Sequence, residues 1–292
     1  IGELDGFELQ EKAEGVQFAS VKLRPIFPTI KGPLDFPSDH PMLDHFTYLA
    51  SIATHLPKIS IPGPSCCHFR TALDDIHHDE YKADVENLME DIIKTYRKAV
   101  RNFYDAGCRY LQLDDIFFAY LCDPKHRAEK EALGQDPDWL VEKYGYMMHE
   151  SIKDRPTDMT IGMHMCRGNM MSSYAAEGSY HAVADTVFNK TGVDVFFMEY
   201  DTERAGDLDP LGELSKGHQR VMLGFITTKN GKLESMEYLK RQFDKAEKFV
   251  DMDQLGIAPQ CGFASTEEGN NISIQEQSDK LGLVLDCAST LW

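Results

Sequence analysis

From Ile59 onward short apolar runs alternate with amphipathic stretches, the pattern of βα units around a parallel sheet. Lys58–Ile61, Tyr110–Leu113, Thr160–His164, Val193–Glu199, Val221–Phe225 and Leu255–Ala258 read as strands, because each is a brief run of β-branched and aromatic residues bounded by polar or turn-forming ones. The first stops at Pro62-Gly63-Pro64. A long helix is predicted over Glu80–Ala106, another near Trp139–Ile152, and one after each later strand, which gives six units in sequence order. Residues 1–55 hold more Pro and Gly and pattern weakly. Gln17–Leu23 is the best strand there, and the one or two strands needed to complete eight are expected in this region or ahead of Ile1. The fold class predicted is α/β, a (β/α)8 TIM barrel. An open doubly wound sheet is the competitor, but no Gly-x-Gly-x-x-Gly turn follows any of these strands.

Length and charge narrow the picture. A chain of 292 residues, 42% hydrophobic, is expected to form one barrel domain over residues 1–292, incomplete at the front because it starts at Ile1. The formal net charge of -18 supplies no field that gathers nucleic acid or anionic lipid, so a small-molecule partner is expected. No apolar run approaches the roughly 18 residues that span a membrane, and no secretory signal pattern opens the chain, so a cytoplasmic protein is expected. The seven cysteines have no disulfide-framework spacing and are expected to be reduced. The oligomeric state is left open.

Candidate chemistry collects at strand ends, which form the catalytic face of such a barrel. His164 and Cys166, in Met163-His164-Met165-Cys166-Arg167-Gly168-Asn169, are two residues apart and point the same way from an extended backbone. Glu199 ends an apolar strand, where an acid is costly unless paired, solvated or metal-bound. Cys261 follows the last strand in Ala258-Pro259-Gln260-Cys261-Gly262-Phe263. Two soft sulfurs, an imidazole and one hard oxygen suit tetrahedral Zn2+, whereas an iron–sulfur cluster would need four clustered cysteines. Each residue alone also fits a packing role. Two thiolates and a carboxylate around a dication make a weak Lewis acid, poor at generating hydroxide but able to hold a substrate thiol as its thiolate. Such a sulfur can attack an activated methyl group at neutral pH, and Glu199, the weakest donor, is expected to give way to it.

Four stretches, in order, resemble the C-terminal catalytic barrel of cobalamin-independent methionine synthase and its short stand-alone relatives: Leu111-Gln112-Leu113-Asp114-Asp115, His164-Met165-Cys166-Arg167-Gly168-Asn169, the strand ending at Glu199, and Gln260-Cys261-Gly262. The resemblance implies that His164, Cys166, Glu199 and Cys261 bind zinc, that homocysteine is the thiol and methionine the product, and that Asp114 contacts the substrate ammonium, a reasonable task for an acid at a strand end. It implies a methyl donor such as methyl-folate, although 292 residues are expected to be too few to include the additional N-terminal barrel that helps hold a polyglutamylated folate in the large synthases. A coenzyme-like alkylthiol as the substrate, or a non-catalytic protein with structural zinc, are the alternatives. Where the large synthases resemble Asp-x-His-Ser, this chain has Thr227-Thr228-Lys229-Asn230, so Lys229 is expected to replace the histidine acid or to contact an anionic group.

Ser65 and His68, beside Cys66-Cys67 at a strand end, are expected to line the substrate mouth, with loop packing the competing account. Asp115 is expected to point away from Asp114. Asp74, Asp75, His77, His78, Asp79 and Glu80 read as a solvated helix start. Cys108, Cys122 and Cys287 read as structural. No Gly-x-Ser-x-Gly or His-Glu-x-x-His motif occurs.

Overall fold

The computed structural model describes residues 1–292 apart from Glu14 and Pro25. Its centre is a sheet of six parallel strands in sequential order, β3 (Ile59–Pro62), β4 (Tyr110–Asp114), β5 (Thr160–Met165), β6 (Val195–Glu199), β7 (Arg220–Ile226) and β8 (Leu255–Pro259). All six coincide with runs read from the sequence; β5, β6 and β7 are largely buried and mostly apolar, while β3 and β4 alternate, turning Ser60, Gln112 and Asp114 to the cleft. Sequential parallel order is the wall of a (β/α) barrel, and among the described residues no ladder joins β8 back to β3.

The N-terminal region corrects the expectation. Gln17–Leu23 makes only a single antiparallel bridge, Gln17 to Lys22, while the strands lie on either side, β1 (Asp5–Glu11) pairing antiparallel with β2 (Ile26–Asp35) outside the main sheet. β1 is largely exposed and β2 contains Pro28 and Pro33, so neither carries a strong apolar signature.

Eight helices accompany the strands among the described residues: α1 (Pro41–Ile52), α2 (Asp79–Ala83), α3 (Val85–Asp105), α4 (Phe117–Tyr120), α5 (Pro124–Ala132), α6 (Pro137–Ile152), α7 (Met236–Ala246) and α8 (Ile274–Leu291). The helix expected over Glu80–Ala106 is broken at Asp84, which is extended and caps α3 by accepting from the Glu86 backbone N–H. α3 buries Leu88, Met89, Ile92, Ile93, Tyr96, Val100 and Phe103 on one stripe. At about 2 kcal/mol per large side chain, that stripe contributes on the order of 10 kcal/mol before conformational entropy is subtracted. α8 opens with a capping box in which Ser273 and Glu276 each accept from the other's backbone N–H.

No regular helix follows β5 or β6, contrary to the sequence expectation. A short 3-10 turn at Tyr180–Ala182 and a wide π-type turn at Thr186–Lys190 follow β5, and 3-10 turns at Glu203–Ala205 and Asp209–Glu213 follow β6. Gly168, Gly178, Gly206, Pro210 and Gly212 interrupt any helical stretch in these connections. No helix among the described residues is long and apolar enough to cross a membrane.

Candidate metal centre at the strand ends

Register places the chemistry side by side. Asp114, the last residue of β4, is paired with His164 near the end of β5, and Glu199 closes β6 opposite Gly224. Cys166 follows β5 directly and Cys261 lies two residues beyond β8. The ligand atoms of His164, Cys166 and Cys261 all lie within 4.8 Å of one another, close enough to share one metal ion, and Cys261 Sγ is 3.4 Å from His164 Nε2. Their electrostatics are mutual. A hydrogen bond from the Cys261 thiol and the neighbouring imidazole hold Cys166 well below the usual thiol range. Burial, which alone would lower His164, is overcome by the Cys166 thiolate and by Asp114 and Glu199, so the imidazole rises to about 9. Burial and the adjacent thiolate push Cys261 upward. This donor set, with one thiol held below its ordinary range and a second hydrogen-bonded to it, suits a borderline-soft dication.

Glu199 is not part of that trio. Its wholly buried carboxylate accepts from the Arg167 backbone N–H at 2.7 Å, from Gln260 Nε2 at 2.9 Å and from Arg204 at 3.0 Å. Burial pushes its pKa up, and Lys229 opposes the rise. The same Gln260 amide donates to Cys261 Sγ at 3.0 Å, while its oxygen accepts from Thr228 Oγ1 at 2.8 Å. One amide thus ties Glu199 to the trio. Lys229 Nζ lies 3.9 Å from Glu199 Oε1, makes no hydrogen bond among the described residues and is absent from the cleft wall.

The trio opens into a cleft of about 650 Å³ that Asp114, Gln112, Lys58, Phe197, Arg70 and Tyr120 also line. Lys58 donates to Gln112 Oε1 at 2.9 Å and Gln112 donates to Asp114 Oδ1 at 2.6 Å, a chain that fixes the carboxylate. Burial raises the Asp114 pKa against the pull of His164. The roof comes from two distant segments. The loop after Cys166 turns at Gly168, whose φ of +93° suits glycine, and a Cβ there would come within 2.7 Å of the Phe18 ring. Ala19 N–H donates to Tyr174 O and Ser20 N–H to Ser173 Oγ, so residues 18–20 are fastened to that loop. Wholly buried Arg167 holds it from below, donating to Tyr180 Oη and to the carbonyls of Glu199, Gly178 and Ala205.

Ser65 and His68 do not line this cleft. Ser65 is buried, and its hydroxyl and backbone N–H both donate to Asp115, whose carboxyl burial pushes up to about 6. Asp115 thus points into the fold, away from Asp114's cleft. His68 is buried 2.8 Å from Tyr144 Oη, and burial takes its pKa down to about 4. Both residues follow a strand end, but the short turn at Pro64–Cys67 directs them inward. The unfolded chain protonates His68 near 6.5 and the folded chain only near 4, so its contribution to stability is complete above pH 6.5 and is lost as pH falls toward 4. The loss is roughly 3 kcal/mol. Urea unfolding of His68→Asn between pH 7 and pH 4 is expected to lack that share of the acid sensitivity, and an unchanged pH slope would count against it.

Cys108, Cys122 and Cys287 are buried free thiols, and Asp79 and Glu80 occupy the first turn of α2 after His78, as expected, whereas Asp74 and Asp75 stand apart in a 3-10 turn at Leu73–Asp75. Sequence reasoning missed Arg167 and Gln260 as supports although both stand inside the motifs, and it missed Arg70, Arg204 and Lys58. The only available signal was adjacency to a ligand.

The family model described as "Cobalamin-independent synthase, Catalytic domain" matches residues 4–288. The chain is 42% identical over 290 residues to the uncharacterized protein YxjH of Bacillus subtilis, covering 99% of this chain and 76% of that protein. It resembles the crystal structure of the putative vitamin-B12 independent methionine synthase of Listeria monocytogenes with a TM-score of 0.75 and 34% identity, covering 100% of this chain and 76% of that one. The B12-independent methionine synthase of Shewanella sp. W3-18-1, in complex with selenomethionine, agrees in fold with a TM-score of 0.69 at 20% identity, covering 99% and 76%. The six parallel strands are therefore those of a TIM barrel, and the activity is methyl transfer. On the match across nearly its whole described length, the chain belongs to the catalytic-domain family of the cobalamin-independent methionine synthases.

Proposed function

We propose that the chain holds Zn2+ through His164, Cys166 and Cys261, with Glu199 as the oxygen donor that completes the set, and methylates the sulfur of homocysteine to give methionine in the cytoplasm. The observation that carries this reading is the convergence of an imidazole and two thiols on the strand-end rim, in one cleft with Asp114. Cys261 is partly exposed and borders that cleft, which favours a site open to substrate over a closed structural one. Bound zinc would lower the pKa of a substrate thiol so that its sulfur is nucleophilic at neutral pH.

The remaining work belongs to the chain. Asp114, fixed by Gln112 and Lys58, receives the substrate ammonium and so aims the sulfur at the rim. Phe18, Leu23 and Met170 keep water from the cleft walls. Lys229 and Arg204 offset the charge of Glu199. This favours a charge-balancing task for Lys229 over contact with the methyl donor, which is methyl-folate or another activated methyl compound.

Zinc-loaded protein offered homocysteine, cysteine and 2-mercaptoethanesulfonate with a set of methyl donors is expected to methylate homocysteine fastest. A strong preference for another thiol would refute the substrate assignment. Asp114→Asn is expected to raise KM for homocysteine roughly ten- to a hundredfold, the worth of a charged hydrogen bond. Inhibition by 4-mercaptobutyrate, which lacks the ammonium, should barely change, and an equal loss for both would argue against ammonium recognition.

A further inference from the structure

The chain has 48 acidic residues against 30 basic ones, and among the described residues eight of the eleven arginines lie within 4.0 Å of a carboxylate. Of the others, Arg167 donates to backbone carbonyls and to Tyr180 Oη, and Arg220 to backbone carbonyls. Arg70 does neither. Among the described residues its guanidinium makes one hydrogen bond, from Nη2 to Tyr120 Oη at 3.1 Å, and its plane is steadied by the Phe117 and Tyr120 rings, with centroids 5.3 and 5.4 Å away. In so acidic a chain, a half-buried arginine without an acid partner among the described residues has its remaining donors open to an external anion.

Its position says which anion. Arg70 and Asp114 together line the cleft that holds the candidate metal ligands, and together they line the adjoining cavity of about 350 Å³. A cation and an anion lining one cleft match a zwitterion, and the guanidinium fork matches the two oxygens of a carboxylate. We propose that Arg70 anchors a substrate carboxylate in this cleft, foremost the α-carboxylate of the amino-acid thiol whose ammonium meets Asp114. The inference rests on the proposed function. The shared chemistry is a carboxylate, which a methyl donor bearing glutamate would also carry.

Calorimetric titration of the zinc-loaded full chain needs no turnover and separates these cases. Four ligands are used: L-methionine, its decarboxylated analogue 3-(methylthio)propylamine, 5-methyltetrahydrofolate, and the methylated pterin portion lacking glutamate. Arg70→Gln is expected to weaken methionine roughly ten- to a hundredfold and to leave the amine unchanged, with Arg70→Lys recovering part of the loss. If methionine is unaffected while the folate weakens and the bare pterin does not, Arg70 still anchors a carboxylate, but the donor's. Unchanged binding of all four, or equal weakening with and without the carboxylate, overturns the proposal. Should Arg70→Gln fail to fold, Arg70→Lys decides alone, because loss of the fork must weaken only carboxylate-bearing ligands. Failure of the amino-acid reading is distinguishable: the unsubstituted protein would then bind neither methionine nor homocysteine. The folate arm would still test Arg70, and absence of binding there too would overturn both.

Discussion

Cys261→Ser is expected to lose most of its zinc while keeping its fold. A serine hydroxyl stays protonated at neutral pH and is a poor partner for a borderline-soft dication, so one of the three converging donors is lost. Removing mere supports of metal ligands commonly costs ten- to a hundredfold in affinity, and loss of a ligand should cost about a hundredfold or more. The fold should persist because Cys261 is partly exposed in the segment after β8 and adds little to the apolar core. Chelator competition with metal analysis gives the affinity, and circular dichroism reports the fold. Wild-type affinity in the variant would remove Cys261 from the site. Full unfolding on chelation of the unsubstituted protein would instead favour structural zinc.

The second large effect is expected at Arg167. The side chain is wholly inside the protein, and replacing it with Met strands the acceptors on Glu199, Gly178, Ala205 and Tyr180, as well as losing the contact of the guanidinium with the Tyr180 ring at 4.1 Å. Buried acceptors left without donors make a loss of about 3 kcal/mol or more the expectation. Arg167→Lys should rescue little, since one ammonium cannot serve groups arranged around a planar fork. Urea unfolding measures both, and a change below about 1 kcal/mol would mean that water or a rearranged loop replaces the guanidinium.

The parallel strands were legible because β5, β6 and β7 are largely buried and mostly apolar, and because β3 and β4 keep a buried apolar residue at alternate positions. β1 and β2 were not, since exposed residues and the prolines of β2 dilute any alternation. The turns replacing helices after β5 and β6 show the limit of periodicity, which cannot register that a segment is recruited to cover a site. His164, Cys166 and Cys261 were legible because their chemistry is rare and strand ends converge. Glu199 was found as a buried acid, but its partners Arg204, Gln260 and Lys229 depend on tertiary placement. Ser65 and His68 had the right address and the wrong direction, and burial is what a linear reading lacks.

The fastening of residues 18–20 to the loop around Ser173 bears on how the chain reaches its working form. Ser20 and Ser173 are 153 positions apart, so this contact closes one of the longest loops in the molecule and rewards the chain only after β3, β4 and β5 have been laid down between them. A growing polypeptide would therefore own His164 and Cys166, at the end of β5, before it owned a sheltered place in which to use them.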